Sequence, residues 1–139
     1  FAIAGDQGLF AVWNGEAWKT IDVPATLTLN AVLRTESGSY LAGGMEEGTE
    51  GGAMVLENQV TRTEHPIYDL TNYKGEVYAV CGDAGVCAWL GGKLVERRKK
   101  WFYTRIRAAG TFLAVAGDSI AIRHNGADEW LGKKFDAHL

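Results

Sequence analysis

The stretch VYAVCGDAGVCAWLGGKLVERR, from Val77 to Arg98, decides how this chain of 139 residues folds. It contains three short runs, VYAVC, GVCAWL and KLVERR, separated by glycine-containing turns at 82–85 and 91–92. Runs rich in Val, Tyr, Cys and Trp between glycine breaks are typical of antiparallel strands joined in hairpins. Both faces of the first two runs are apolar, which predicts a sheet that is covered on both sides.

The same unit recurs along the chain. A run that ends in glycine is found as FAIAG at Phe1, SYLAGG at Ser39, VYAVCG at Val77 and FLAVAG at Phe112. The interval of roughly 35 to 39 residues lies within the range of repeat architectures. Each unit contains four apolar runs, which we name A, B, C and D in chain order. The run that ends in glycine is run B, and the first unit lacks run A. The predicted units are 1–29 together with the tail 134–139, then 30–66, 67–101 and 102–133.

Periodicity decides the fold class. No segment has a sustained 3.6-residue apolar stripe with helix caps, so almost no helix is expected. Four-stranded units of this length, with strands that are apolar on both faces, predict propeller blades that cover one another. A β-sandwich would instead give each strand one polar face. The sequence therefore predicts one all-β domain, a β-propeller of about four blades.

The two ends leave two arrangements open. The tail KFDAHL, from Lys134, alternates like an A run and would complete the first unit if it were placed before Phe1. A closed small ring of this kind has no open sheet edge. The alternative is an arc of a larger propeller that another chain or further sequence completes. Because the chain begins inside an apolar run, we expect that it has been trimmed or is one piece of a longer chain, and no compartment is predicted.

The composition is that of an ordinary soluble globular domain, with 47% apolar and 22% charged residues. The net charge of -3 gives no global electrostatic reason to bind nucleic acid or an anionic membrane. No apolar run in the sequence is long enough to cross a bilayer. The expected partner is therefore neither nucleic acid nor a membrane.

Two of the turns between C and D read VWNGEAW from Val12 and IRHNGADEW from Ile122. A glycine followed three or four residues later by Trp resembles the degenerate Asp-box (BNR-like) repeats of propellers, whose motif is Ser-x-Asp-x-Gly-x-Thr-Trp. Gly15 and Trp18 match the end of that motif, whereas Trp13 stands at its Asp position. The resemblance implies a propeller with either a binding or a glycosidase role.

Three aspartates, Asp6, Asp83 and Asp118, each follow the glycine of a B run. The B–C and D–A loops of a propeller emerge on the same rim, which would gather these carboxylates around the mouth of the central channel. With Arg105 and Arg107 from the A run they form a candidate glycan site, in which carboxylates could hold a cation or act as acid and base. The competing interpretation is that each Asp hydrogen-bonds its own turn, and the recurrence of Asp at equivalent places favours it.

Two further loops on this rim are candidate partner contacts. In the second unit, the long B–C loop 45–52 carries Glu46, Glu47 and Glu50, and extra length in a repeat often maps to a binding face. A tolerated solvated insertion explains that loop equally well. The third D–A connection contains Arg97, Arg98, Lys99, Lys100 and Trp101. An exposed Trp or Arg can anchor a partner protein, and basic residues beside aromatic ones can also bind nucleic acid. The structural alternative is that the charged side chains are solvated while Trp101 and Phe102 wedge between blades.

Catalytic signatures are sparse. His65, His124 and His138 do not have metal-ligand spacing, and the sequence has no nucleophile elbow, P-loop or dinucleotide fingerprint. Cys81 and Cys87 fit either two small apolar residues on neighbouring strands, the favoured interpretation, or a disulfide.

The sequence thus predicts a non-catalytic protein-binding propeller with no cofactor and no metal. Its expected partner is another protein, with a second chain that completes the ring as one form of this. The alternative is a glycan-binding or glycosidase-like module, of sialidase type, at the channel mouth.

Overall fold

The computed structural model describes residues 1–99, 101–124 and 129–134. Over these ranges the chain forms strands and no helix, and therefore no helix that is long and apolar enough to cross a membrane. The strands are β1 (Ala2–Ala4), β2 (Phe10–Trp13), β3 (Trp18–Thr20), β4 (Leu27–Arg34), β5 (Tyr40–Glu46), β6 (Gly52–Leu56), β7 (Gln59–Thr63), β8 (Asp69–Tyr73), β9 (Glu76–Val80), β10 (Val86–Leu90), β11 (Lys93–Arg98), β12 (Tyr103–Ala109), β13 (Phe112–Gly117), β14 (Ser119–His124) and β15 (Trp130–Lys134).

These strands form four antiparallel sheets in which neighbours in the sheet are also neighbours in the chain. The first sheet has three strands, β1-β2-β3, and the others have four: β4-β5-β6-β7, β8-β9-β10-β11 and β12-β13-β14-β15. This is the strand order that the sequence predicts for propeller blades, and among the described residues no strand precedes β1 in the first sheet. We refer to the sheets as blades 1 to 4. The second blade already begins at Leu27, ahead of the predicted boundary at residue 30.

The chain divides into two compact units, Phe1–Asp69 and Leu70–Leu139. In the first unit, the facing sides of blades 1 and 2 enclose one apolar core. Its buried members are Phe10, Ile21, Val23, Leu27, Leu29, Ala42, Ala53 and Val55. Removing this much apolar surface from water is the main stabilising contribution to the pair of blades.

In the second unit, the central strands of blade 3 are buried on both faces. Consecutive residues Tyr78 to Val80 on β9 and Val86 to Ala88 on β10 are all buried. Successive side chains of a strand point to opposite faces, so a buried run of three covers both. The prediction for these two strands is confirmed, while β11 is largely exposed.

One backbone hydrogen bond recurs where the chain enters each following sheet. The carbonyl oxygen of Gly5 accepts from the Leu29 amide at 3.0 Å, and that of Gly44 accepts from the Ile67 amide at 3.1 Å. In the second unit, the carbonyl oxygen of Gly82 accepts from the Tyr103 amide at 3.3 Å. The glycine after each of these B runs is therefore a junction between successive sheets.

Cys81 and Cys87 are both buried and both are free thiols. Cys87 lies opposite Ala79 on β9, which makes it the diagonal neighbour of Cys81. The Cα atoms of diagonal neighbours are roughly 7–8 Å apart, beyond the span that a disulfide usually bridges. The hydrogen bond with Cys87 and burial both raise the pKa of the Cys81 thiol. The favoured interpretation, two small apolar residues on neighbouring strands, matches the structure.

Candidate functional site

A groove of about 420 Å³ lies on the second unit, where the B–C loops of blades 3 and 4 meet the connection between these two blades. We call it the rim groove. It is lined by Asp83, Lys99, Trp101, Phe102, Asp118 and Lys134. Two carboxylates, two ammonium groups and two aromatic rings thus converge from separate segments of the chain.

Backbone hydrogen bonds fix the loops that carry the two aspartates. Gly82 and Tyr103 exchange bonds of 3.1 Å and 3.3 Å, and the Asp118 amide donates to the carbonyl oxygen of Phe102 at 3.2 Å. Both B–C loops are therefore tied to the same connection between β11 and β12. Since buried backbone groups need partners, these bonds hold Asp83 and Asp118 beside Phe102.

Arg98 supports the aromatic wall of the rim groove from beneath. Its Nε donates to the hydroxyl of Tyr103 at 3.2 Å, and Tyr103 is completely buried. Its guanidinium carbon lies 5.4 Å from the ring centroid of Trp101 and 5.5 Å from that of Trp130. A guanidinium within about 6 Å of an indole is attracted to its face. Arg98 therefore contacts two indole rings and the core at once.

A second groove of about 490 Å³ lies between blades 3 and 4 and is lined by Glu76, Tyr78, Glu96, Arg97, Arg123 and Trp130. The hydroxyl of Tyr78 donates to Glu76 Oε2 at 3.1 Å and accepts from Arg123 at 3.3 Å. Arg97 lies 3.7 Å from the Glu76 carboxylate. Burial, followed by the hydrogen bond to Glu76, raises the pKa of Tyr78. The phenol of this network therefore stays protonated at neutral pH.

The residues predicted from the sequence divide among several places. Asp83 and Asp118 share the rim groove with Lys99 and Trp101, so members of two separately predicted sets lie together. Asp6 is exposed in the turn before Leu9 in the first unit. Arg105 and Arg107 each donate to the carbonyl of the preceding residue on β12 and do not line the rim groove. Lys100 lies outside the described residues, as does the tail beyond Lys134.

The acidic loop of blade 2 is held by specific bonds. Glu46 ends β5, and its carboxylate accepts from Nε of Arg62 at 2.9 Å. The hydroxyl of Thr49 donates to the carbonyl of Glu46 at 3.1 Å and accepts from the Gly51 amide at 3.1 Å. Glu47 and Glu50 are exposed. The hydrogen bond from Arg62 lowers the pKa of Glu46.

We expect Arg62→Gln to raise the pKa of Glu46 towards its ordinary value, because the guanidinium that favours the carboxylate is lost. Because the pKa of Glu46 is lowered in the fold, the pair stabilises the protein at neutral pH, and this contribution is lost as the pH falls through the lowered pKa. NMR titration of the Glu46 carboxyl carbon measures the shift, with Arg34→Gln as a control elsewhere in blade 2. An unchanged pKa in Arg62→Gln would contradict the assignment.

Sequence reasoning missed several lining residues. Lys134 lies directly opposite Ser119 in the β14–β15 register, and a prediction of that register would have placed it beside Asp118. The Tyr78–Glu76–Arg123 network had no local signal, because its members come from two different blades. Among the described residues, no group of three His, Cys, Asp or Glu side chains could hold a metal ion.

The chain matches no family model, and no curated protein matches it significantly. Among solved structures it is similar to YCF48 bound to D1 peptide, with a TM-score of 0.58 and 12% sequence identity. The match covers 94% of this chain and 48% of that chain. The fold is an all-β propeller of four blades. This confirms the predicted fold class, although the chain spans only about half the length of the propeller it resembles. The choice between a closed ring and an arc stays a prediction.

Proposed function

We propose that this propeller is a non-catalytic protein-binding module and that the rim groove receives its partner. One observation carries the proposal: residues from two B–C loops, one D–A connection and the end of β15 converge on a single concavity. Binding residues are often found on loops that a rigid scaffold positions, and the blades are such a scaffold. This proposal uses the rim that the sequence predicts.

The chemistry of the lining suits a polypeptide segment. Trp101 and Phe102 are half-buried, and aromatic anchors dominate the energetics of many protein interfaces. Asp83 and Asp118 can accept hydrogen bonds from a basic side chain or from backbone amides. Lys99 and Lys134 can pair with a carboxylate of the same segment. The partner we expect therefore carries charges of both signs around an apolar residue.

Preorganisation adds to the case. The indole of Trp101 is already stacked on Arg98, which is itself hydrogen-bonded to the buried Tyr103. An anchor held in place before binding loses less conformational freedom when the partner arrives. Arg98, predicted as a partner contact, would then act by positioning Trp101.

The structural neighbour supports a polypeptide ligand. The structure of YCF48 is that of a complex with D1 peptide, and this chain has the same fold. We take from this only that a propeller of this kind can bind a peptide. The resemblance to Asp-box repeats is compatible with such a role: Asn14 Oδ1 ties the turn by accepting from the amides of Glu16 and Ala17, each at 2.9 Å.

A non-catalytic role also fits the second groove. A Tyr–Glu pair near arginines could suggest glycosidase chemistry, but the raised pKa of Tyr78 disfavours the phenolate that a nucleophile needs. The glycan alternative predicted from the sequence uses Asp83 and Asp118 as well. The experiments must therefore distinguish peptide binding from saccharide binding at the rim groove.

We expect Lys99→Glu to weaken binding of a selected peptide by about ten-fold or more, because it reverses one charge of the rim groove. Peptides are first selected against the wild-type protein from a displayed random library, and the dissociation constant is then measured by fluorescence anisotropy. The matched control is Lys93→Glu, an exposed lysine at the other end of β11. Equal affinities of the two variants, or failure to select any peptide, would refute the proposal.

A glycan array with the wild-type protein and Asp83→Asn tests the alternative. Saccharide binding that disappears in Asp83→Asn would favour the glycan-binding module. Retention of all peptide binding by Lys99→Glu alongside that loss would settle the matter against a protein partner.

A further inference from the structure

A third groove, of about 330 Å³, lies within the first unit, in the seam between blades 1 and 2. We call it the seam groove. Its apolar lining consists of Phe10, Val12, Ile21 and the ring of Tyr40, which belong to the core of this unit or pack against it. Phe10 is completely buried and Ile21 nearly so. The seam groove therefore has a fixed apolar floor, and its volume lies in the range of roughly 300–1,000 Å³ that is usual for small-molecule sites.

Two exposed charged side chains, Lys19 and Glu57, complete the lining of the seam groove. Lys19 lies opposite Val12 in the β2–β3 register, so its side chain leaves the sheet on the face that forms the floor. Glu57 lies in the turn between β6 and β7, and its Oε1 accepts from the Ser39 hydroxyl at 2.9 Å. Within the part of the chain that the structure describes, no group donates to its Oε2, and Lys19 forms no ion pair.

The backbone of Glu57 has a conformation that is unfavourable for a glutamate. Its φ of 55° lies in the left-handed region, where residues other than Gly, Asn and Asp are uncommon. The turn that it opens has two residues, since Leu56 pairs with Gln59. The corresponding turn of blade 3 consists of Gly91 and Gly92, with φ values of 57° and 77°. Strained backbone of this kind is concentrated at functional sites, which points to a role for the Glu57 side chain.

The two charges decide which ligand suits the seam groove. A simple anion would be attracted by Lys19 and repelled by Glu57, and a simple cation would meet the reverse. A ligand that carries both an ammonium and a carboxylate complements both side chains. The apolar floor adds a third requirement, an apolar group close to these two charges. An α-amino acid with a large apolar side chain combines the three features.

We propose that the seam groove binds a free apolar α-amino acid, with its side chain on the apolar floor, its ammonium at Glu57 and its carboxylate at Lys19. Burial of the apolar side chain supplies the driving force, and the two charges supply the selectivity. The hydrogen bond from Ser39 holds the Glu57 carboxylate before the ligand arrives, which lowers the cost of ordering it. The seam groove shares no residue with the rim groove, so this proposal is independent of the proposed function.

NMR chemical-shift titration with matched probes tests the ligand class. Phenylalanine carries both charges, phenethylamine lacks the carboxylate and 3-phenylpropionate lacks the ammonium. We expect phenylalanine to shift the amides of Tyr40 and Glu57, and to bind about three- to ten-fold more tightly than either analogue. Equal affinities of the three probes would overturn the proposal, as would the absence of any shift with phenylalanine and with leucine at about 10 mM. Tighter binding of the dipeptide phenylalanylglycine would assign the groove to the end of a polypeptide instead.

Two substitutions assign the charges. Glu57→Asn removes the carboxylate but keeps a residue that tolerates a left-handed backbone, so the affinity for phenylalanine should fall to that for 3-phenylpropionate in a folded protein. Lys19→Gln should likewise abolish the preference for phenylalanine over phenethylamine. The matched control is Glu36→Gln, an exposed glutamate in the turn before β5 that does not line the seam groove. Preferences that are unchanged in Glu57→Asn and Lys19→Gln, or an equal loss in Glu36→Gln, would refute the assignment.

Discussion

Replacing Gly44 with Ala is expected to destabilise the protein by more than about 3 kcal/mol, or to prevent folding altogether. A methyl group at this position would overlap the carbonyl oxygen of Thr28 and lie 2.7 Å from the Cα atom of Leu29. Both obstacles are backbone atoms of β4, so no side chain can rotate away. Relief requires β4 and β5 to separate at the Leu29–Gly44 pair of the register. Urea denaturation followed by circular dichroism measures the loss.

Gly5→Ala is the matched control, because Gly5 follows the B run of blade 1 just as Gly44 follows that of blade 2. The nearest atoms to a methyl group at Gly5 belong to the Leu9 side chain, at 3.5 Å, which is ordinary van der Waals contact. Blade 1 has no A strand in the described residues, and the β4 backbone that bonds to the Gly5 carbonyl leaves the Cβ position of Gly5 open. We expect a change below about 1 kcal/mol. A comparable loss of stability in both variants would show that the A strand is not the cause.

The glycines after the B runs show which features of the fold the sequence predicts and which it does not. Their spacing predicted the blades, because the pattern of apolar runs and turns is local and can be read from the chain. The reason for glycine at Gly44 and Gly117 was not readable. At both positions the A strand changes register, between Leu29 and Ala31 and between Tyr103 and Arg105, and its backbone comes too close for a Cβ atom.

The run FLAVAG illustrates a second limit. Its apolar residues predict cover on both faces, yet Phe112 is exposed while Leu113 and Val115 are buried. An apolar pattern reports which faces a strand can bury. It does not report whether the covering surface lies within the same chain, because that depends on long-range packing.

The candidate site was partly predictable, because strand order can be read from the sequence. Strand order alone determines which loops emerge at which end of a blade, and this put Asp83 and Lys99 on one rim. The irregular pairing of Arg97 and Arg98 with β10 was not predictable. The β10–β11 register shifts at Val86 and Cys87, leaving Arg97 without a partner residue on β10. A bulge re-aims side chains, and here Arg97 lines the second groove while Arg98 stacks on Trp101.

Tyr103→Ala is expected to cost about 4 kcal/mol, the usual range for truncating a fully buried aromatic residue. Tyr103 is completely buried and belongs to the largest fully buried side chains of the chain's described part. Its truncation leaves a cavity beside the junction with Gly82 and removes the hydrogen-bond partner of Arg98. The same variant should therefore lose stability and loosen the support of Trp101. Denaturation reports the first effect, and affinity for a selected peptide reports the second.

Tyr103→Phe separates these two effects, because it keeps the ring and removes only the hydroxyl that accepts from Arg98. Stability should fall by about 1.5–3 kcal/mol, the usual contribution of a hydrogen bond to a charged group. If the bond to Tyr103 holds Arg98 beneath Trp101, peptide affinity should fall by a larger factor in Tyr103→Phe than in Val115→Ala, a control that destabilises the same blade without removing a partner of Arg98. Val115 is buried in the same blade and does not line the rim groove. Equal affinities in Tyr103→Phe and Val115→Ala would mean that the cation–aromatic contacts alone position Trp101, and that the core and the groove are not coupled through Arg98.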